Sequence, residues 1–130
     1  MQEVVDFLKR CGFYFLGTVD GNTPQVRPFG TAHIIDGKLY FQTGRSKPVA
    51  QQIFSNPNVN ICAYDGDTWV RISAQAVSDE RIESQEAMLE AYPGLRSRYT
   101  PGDGETQLFY LTDATATFYT PGADPRVISF

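Results

Sequence analysis

The chain has 130 residues, of which 42% are hydrophobic and 13% aromatic, and its formal net charge is -4 at pH 7. A chain of this length can bury a core without metal or disulfide staples, so we expect one domain over residues 1–130. The acidic balance argues against nucleic-acid binding, and no apolar run approaches the ~20 residues that a membrane-spanning helix needs.

The two cysteines, Cys11 and Cys62, lie far apart and in no metal-ligand spacing. With His33 as the only histidine, we expect no metal site. We expect both thiols to be reduced and buried. The first ten residues lack the long apolar block of a secretory signal, and we expect a cytoplasmic protein.

The first elements follow from spacing and turn residues. Val4, Leu8 and Cys11 recur at helical spacing, and Gly12 is a natural helix stop. Strands are predicted over 13–19, 25–35 and 38–43, and the tight turns between them predict an antiparallel meander. Pro28 cannot donate to a ladder, so the second strand should be an edge or bulged there.

In the second half of the chain, Ser46 is predicted to cap a short helix with Lys47 and Pro48 in its first turn. Further strands are predicted over 59–64, 68–77 and 107–119, the last kinked near Asp113, and a longer helix over about 81–92. Six strands with short turns predict a mainly β fold, an antiparallel barrel with flanking helices.

Residue types that bind phosphate surround the start of the short helix. Its N-terminus offers unpaired N–H groups and a partial positive charge, to which Thr43, Ser46 and Lys47 add donors. Arg27, on the neighbouring predicted strand, can bring a guanidinium to the same place. An ordinary capped helix with exposed bases would explain the same pattern.

Catalytic motifs are absent from the sequence. There is no nucleophile elbow, P-loop or dinucleotide-binding glycine motif. His33 is expected to make a structural hydrogen bond rather than act as a base. No catalytic residue is therefore assigned.

Three stretches, in order, resemble the pyridoxamine 5′-phosphate oxidase-like superfamily of flavin-binding split barrels. They read FLGTVDGNTPQVRPFG, DGKLYFQTGRSKPVAQQIFSNPNVNICAY and WVRISAQAVSD. The middle stretch is the specific part, with a strand reading Tyr-Phe-x-Thr, then Ser-Lys, a short helix and an Asn-Pro turn. The similarity is to the short general-stress-like and nitroimidazole-resistance-like members.

The resemblance implies a six-stranded split barrel that forms a homodimer, with two flavin mononucleotide (FMN) sites between the subunits. By position, the phosphate would be held by Arg27, Thr43, Ser46 and Lys47. The ribityl chain and ring would lie along Val26, Pro28, Phe29 and Gln42.

The resemblance also implies a flavin-dependent oxidoreductase for a small molecule, with a nicotinamide as the simplest reductant. True pyridoxamine 5′-phosphate oxidases are longer and carry substrate-binding residues near their C-terminus. This chain ends in RVISF, without a basic cluster, so we do not expect it to oxidise pyridoxamine phosphate. The alternative is a flavin-binding or stress-response protein without turnover, and the superfamily also contains deazaflavin-binding members.

Overall fold

The structure, a computed structural model, describes residues 1–130 and contains three α-helices and eight strands. In chain order the elements are α1 (Gln2–Cys11), β1 (Tyr14–Asp20), β2 (Thr23–Phe29), β3 (His33–Ile35), β4 (Lys38–Gly44), α2 (Pro48–Ser55), β5 (Asn58–Tyr64), β6 (Trp69–Asp79), α3 (Ile82–Ala91), β7 (Thr106–Tyr119) and β8 (Arg126–Ser129). A short 3-10 helix, Pro93–Ser97, follows α3. None of the helices has the length and apolar character needed to span a bilayer.

All strands belong to one antiparallel sheet in the order β2-β1-β5-β6-β7-β4-β3, with β8 paired to β7. The two edge strands, β2 and β3, are consecutive in the chain and separated only by residues 30–32. The sheet is therefore an open barrel, which confirms the predicted mainly β split-barrel fold.

The predicted strand over 25–35 is two strands, and this corrects the predicted meander. β2 pairs with β1, whereas β3 pairs with β4, so no ladder joins Arg27 to the strand that carries Gln42 and Thr43. β2 is an edge strand, as Pro28 predicted, and it carries a second proline, Pro24. With β8 this division raises the count from six strands to eight.

The long strand β7 bends near its middle. Asp113 has a φ of 51°, in the left-handed region, and the register with β6 shifts between Ser73 and Gln75. This confirms the predicted kink. The bend lets β7 pair with β4 through its first half and with β8 through its second.

The core lies inside the barrel and is closed by helices. The inward residues of β6 are buried, while Trp69 and Arg71 project from the other face. Helix α1 ends at Gly12, whose φ of 85° suits glycine, and it buries Phe7 against Phe118. The cysteines are free thiols, but both are only half-buried, so the expectation of burial is wrong. Cys62 lies opposite Arg71 on the outward face of the sheet.

A buried carboxylate fastens α3 to the sheet. Asp79 accepts hydrogen bonds from the hydroxyls of Tyr40 (2.7 Å) and Ser84 (2.6 Å) and from the Arg81 guanidinium (3.0 Å). Burial alone would raise the pKa of Asp79, but the hydrogen bonds from Arg81, Ser84 and Tyr40 outweigh it and hold this pKa well below its usual range. The ionised carboxylate is thus part of the folded structure.

We expect Asp79→Asn to lower the free energy of unfolding at neutral pH by about 2–3 kcal/mol, because the buried donors lose a charged acceptor. The folded-state pKa is depressed, so this stabilisation is present above the ordinary aspartate pKa and is lost as the pH falls through the folded-state value. The difference in free energy of unfolding between unmodified protein and Asp79→Asn, measured by urea unfolding, should therefore become smaller in acid.

Asp36→Asn is the control for this change. It removes an exposed partner of the same Arg81, at 3.1 Å, and should cost less than about 1 kcal/mol. Equal losses in the two variants would contradict the role assigned to Asp79.

Candidate functional site

A cavity of about 340 Å³ opens where the barrel is split. Five of the residues that the sequence predicted for a cofactor site line it, namely Pro28, Phe29, Gln42, Thr43 and Lys47. The rest of the wall consists of Gly30 and Thr31 at the split and of Tyr92, Leu95, Arg98 and Tyr99 from the segment after α3.

The amide of Gln42 is an unpaired polar group on the wall of this cavity. Its side chain is buried, with the residue only 6% exposed, yet neither Oε1 nor Nε2 has a hydrogen-bond partner. Leaving such a group unpaired costs about 1–3 kcal/mol. Both amide atoms are covered by protein, so a ligand with adjacent donor and acceptor atoms would satisfy them once the side chain turns toward the cavity.

The cavity is positively charged in an acidic protein. Lys47 and Arg98 line it, neither takes part in any of the four ion pairs of the protein, and no Asp or Glu is in its wall. The Arg98 guanidinium lies over the ring of Tyr99, 5.9 Å from its centroid. Two cations that are not engaged in ion pairs favour an anionic ligand.

The rim of the cavity is held by two tyrosine hydroxyls. Tyr14 donates to the carbonyl oxygen of Thr31 at 2.6 Å. Tyr92 donates to the carbonyl oxygen of Ala32 at 2.9 Å and accepts from its N–H at 3.1 Å. Burial raises the pKa of Tyr14 well above its usual value, so it remains a neutral donor. The segment that separates β2 from β3 is thereby fixed.

Arg27 and Val26 lie outside the cavity wall. The Arg27 guanidinium donates to the Leu16 carbonyl oxygen (3.1 Å), Thr18 Oγ1 (2.8 Å) and Gln52 Oε1 (2.9 Å), which are all neutral acceptors. Burial lowers the pKa of this guanidinium. Arg27 thus joins β2 to β1 and α2, whereas the side chain of Val26 is on the outer face of the sheet.

Ser46 also lies outside the cavity wall and already binds a carboxylate. Its N–H donates to Glu105 Oε1 at 2.9 Å, and its hydroxyl donates to Oε2 at 2.6 Å. The predicted cap is wrong, because α2 begins after Lys47 without a side-chain cap and the Ser46 hydroxyl is engaged elsewhere. Pro48 fills the first turn as predicted.

His33 is not part of the cavity wall. Its Nδ1 lies 3.1 Å from the ammonium of Lys9 and accepts its hydrogen bond. Burial and, secondarily, the charge of Lys9 lower the pKa of His33. This agrees with the structural hydrogen bond expected from the sequence.

The sequence did not reveal the wall formed by residues 92–99. Pro93-Gly94 marks the end of the preceding helix in the sequence, but nothing there predicts the 3-10 helix that begins at Pro93. What brings Tyr92 to the split is its pairing with Ala32, 60 residues earlier, and local spacing carries no trace of that contact.

Comparisons with known proteins agree with this architecture. The family model described as pyridoxamine 5′-phosphate oxidase matches residues 1–120. A NimC/NimA family protein from Clostridium acetobutylicum is 33% identical, with 100% of this chain and 92% of that chain covered and a TM-score of 0.97.

Two further solved structures share the fold at low sequence identity. General Stress Protein 26 from Bacillus anthracis is 18% identical, with 99% and 97% of the chains covered and a TM-score of 0.79. A pyridoxamine 5′-phosphate oxidase-related, FMN binding protein from Nostoc punctiforme is 14% identical, with 99% and 95% covered and a TM-score of 0.62. No curated protein matches the sequence.

We expect Gln42→Met to raise the free energy of unfolding of the ligand-free protein by about 1 kcal/mol, because two unpaired buried atoms are replaced by a thioether of similar length. Urea unfolding of protein stripped of small molecules measures it. Gln107→Met is the matched control. Gln107 is equally buried, but its Nε2 donates to Ser78 Oγ (2.8 Å) and to the Leu108 carbonyl oxygen (2.9 Å). Gln107→Met should therefore lower the free energy of unfolding. A similar decrease in Gln42→Met would mean that the Gln42 amide is paired.

Proposed function

The chain belongs to the pyridoxamine 5′-phosphate oxidase family, and from this membership we propose that it binds flavin mononucleotide in the cavity at the split. We further propose that it is a flavin-dependent oxidoreductase acting on a small molecule. The observation that carries the proposal is the unpaired Gln42 amide, on the wall of a cavity that contains two cations and no acid.

The cavity offers donors and acceptors that fit this ligand. Gln42 would meet the adjacent N–H and carbonyl groups of the flavin ring, and Phe29 supplies apolar contact. Lys47, with Thr43 beside it, would hold the phosphate near the N-terminus of α2. The cavity therefore suits an anion with a flat polar ring.

Other residues implied by the resemblance would need new partners to reach a phosphate. Ser46 is bound to Glu105, and Arg27 is bound to three neutral acceptors. Arg27 has no carboxylate within ion-pair distance, so its charge is available to an anion nearby. We propose that both join the phosphate after exchanging these contacts.

The flavin supplies hydride and electron transfer when it is bound. No His, Cys, Asp or Glu lines the cavity, so the protein's part is to bind and orient. Gln42 fixes the ring, Lys47 and Arg98 neutralise charge, and Phe29 with Leu95 excludes water. A nicotinamide reductant and a small acceptor complete the proposed cycle.

The absorbance spectrum of the purified protein, with mass spectrometry of the released small molecule, tests the proposal. A flavin spectrum bleached by a nicotinamide reductant supports an oxidoreductase. A flavin spectrum that no reductant bleaches supports the alternative, a flavin-binding protein without turnover. Protein that is colourless and ignores added FMN would refute both.

We expect Lys47→Ala to weaken FMN binding by about 1.5 kcal/mol, at the lower end for a charge-assisted hydrogen bond because Lys47 is exposed. Riboflavin, which lacks the phosphate, should bind the variant and the unmodified protein alike. Fluorescence titration with both flavins measures this. Lys38→Ala is the control, because Lys38 is exposed and lies 5.0 Å from the ring centroid of Tyr110, outside the cavity. Equal effects of the two variants would place the phosphate elsewhere.

We also propose that the protein is a homodimer in which the flavin sites adjoin the subunit interface. Support comes from the outer face of β1, β2 and β5, where Phe15 and Val26 are exposed and a groove of about 460 Å³ runs along the sheet. A second copy covering this face would bring its residues close to Pro28, at the edge of the cavity.

Val26→Asp should convert the dimer into monomers, because a carboxylate would be buried without a partner in the interface. Light scattering after gel filtration measures the mass. Val127→Asp is the control, since Val127 on β8 is also an exposed strand valine, 59% exposed against 69% for Val26. A dimer that persists in Val26→Asp, or is lost equally in both variants, would contradict this interface.

A further inference from the structure

Glu105 places a carboxylate on the donors that sequence analysis assigned to a phosphate. Its two oxygens are held by the N–H and the hydroxyl of Ser46, at 2.9 and 2.6 Å. Glu105 makes no ion pair, although Arg45 and Lys47 flank Ser46. The Arg45 guanidinium is instead paired with Glu80 at 2.6 Å.

The surroundings of this carboxylate leave room for it and connect it to the cavity. A Cβ added to Gly44 would lie 2.6 Å from Glu105 Oε2 and 3.2 Å from the hydroxyl of Tyr99. Because Tyr99 and Thr43 are both in the cavity wall, the carboxylate lies directly beside the cavity. Glycine at position 44 thus provides the space that the anion occupies.

The backbone of Glu105 is fixed independently of this contact. Its carbonyl oxygen accepts from the Arg45 N–H at 2.8 Å, and its own N–H donates to Asp103 Oδ1 at 2.8 Å. The side chain can therefore leave Ser46 by rotation while the main chain stays in place. The unpaired Gln42 amide is a separate observation, a polar group without a partner on a residue that lines the adjoining cavity.

We propose that the Glu105 carboxylate occupies the position of an anionic ligand at Ser46 and competes with the phosphate of the nucleotide. Glu105 then determines how strongly the cavity prefers FMN over riboflavin. The identity of the ligand rests on the proposed function, whereas the competition at Ser46 concerns any phosphate.

The test is the binding of FMN and riboflavin to unmodified protein and to Glu105→Gln, which keeps the length of the side chain and removes its charge. FMN should bind the variant about tenfold more tightly, since a charged competitor becomes neutral, while riboflavin binding stays the same. Glu86→Gln is the matched control, because it removes the charge of an exposed glutamate that makes no ion pair and does not line the cavity. It should leave both affinities unchanged.

Three results would overturn the proposal. FMN could bind Glu105→Gln more weakly, which would make Glu105 a residue that positions Ser46 for the ligand. The affinities for both flavins could change equally, or Glu86→Gln could have the same effect as Glu105→Gln.

Titration with inorganic phosphate, followed by the Ser46 amide resonance, separates this proposal from the flavin assignment. If no variant binds flavin, the proposed function fails. The competition still holds if phosphate shifts this resonance at lower concentration in Glu105→Gln than in unmodified protein. Equal responses, or none, refute it. If Glu105→Gln does not fold, the same titration of unmodified protein tests the competition. Phosphate should then shift the resonances of the Ser46 amide and of the Glu105 carboxyl carbon at the same concentration.

Discussion

Three residues have to carry the chain from one edge of the sheet to the other, and their main-chain polar groups need partners that no strand provides. The hydroxyls of Tyr14 and Tyr92 satisfy Thr31 and Ala32 at this crossing. Because the crossing is fixed, β2 and β3 can serve as opposite edges of one sheet, and the cavity opens between them. The position of Gln42, opposite Thr31, follows from the same arrangement.

Two kinds of polar burial in this protein have different consequences. Asp79 and Gln107 are buried with their hydrogen bonds made, and they hold strands and α3 together. Gln42 is buried without partners, which weakens the ligand-free protein and leaves binding free energy for a ligand. The unpaired amide identifies the candidate site better than cavity volume does. A larger cavity, of about 630 Å³, lies beside α1 and is lined by four acids.

Sequence patterns predicted the elements whose structure depends on residues close together in the chain. The alternation in β6, the glycine stop of α1 and the bend at Asp113 are of this kind. Five of the eight predicted cofactor residues line one cavity, and three of these, Pro28, Phe29 and Gln42, were implied by the family resemblance and not by local patterns. The single domain, the cytoplasmic location and the individual cofactor contacts stay predictions.

What sequence reasoning missed depends on contacts between distant residues. The 25–35 stretch reads as one strand, and only the tyrosines at 14 and 92 show why it divides. Glu105 gave no signal as a partner of Ser46, 59 residues earlier. In α3 the apolar side chain of Ile82 is half exposed, while Ser84 and Gln85 are buried because Asp79 and Gly102 bind them. β8 has no alternation, since mainly one of its residues, Ile128, packs on the core.

The prolines of β2 also limit how copies of this protein can meet. An exposed sheet edge ordinarily invites another strand to add to it, which is a common route to aggregation. Pro24 and Pro28 remove two N–H groups from this edge, so a continuous intermolecular ladder cannot form along it. Association through this region must therefore be face to face, through side chains, and polymerisation by strand addition is blocked at this edge of the barrel.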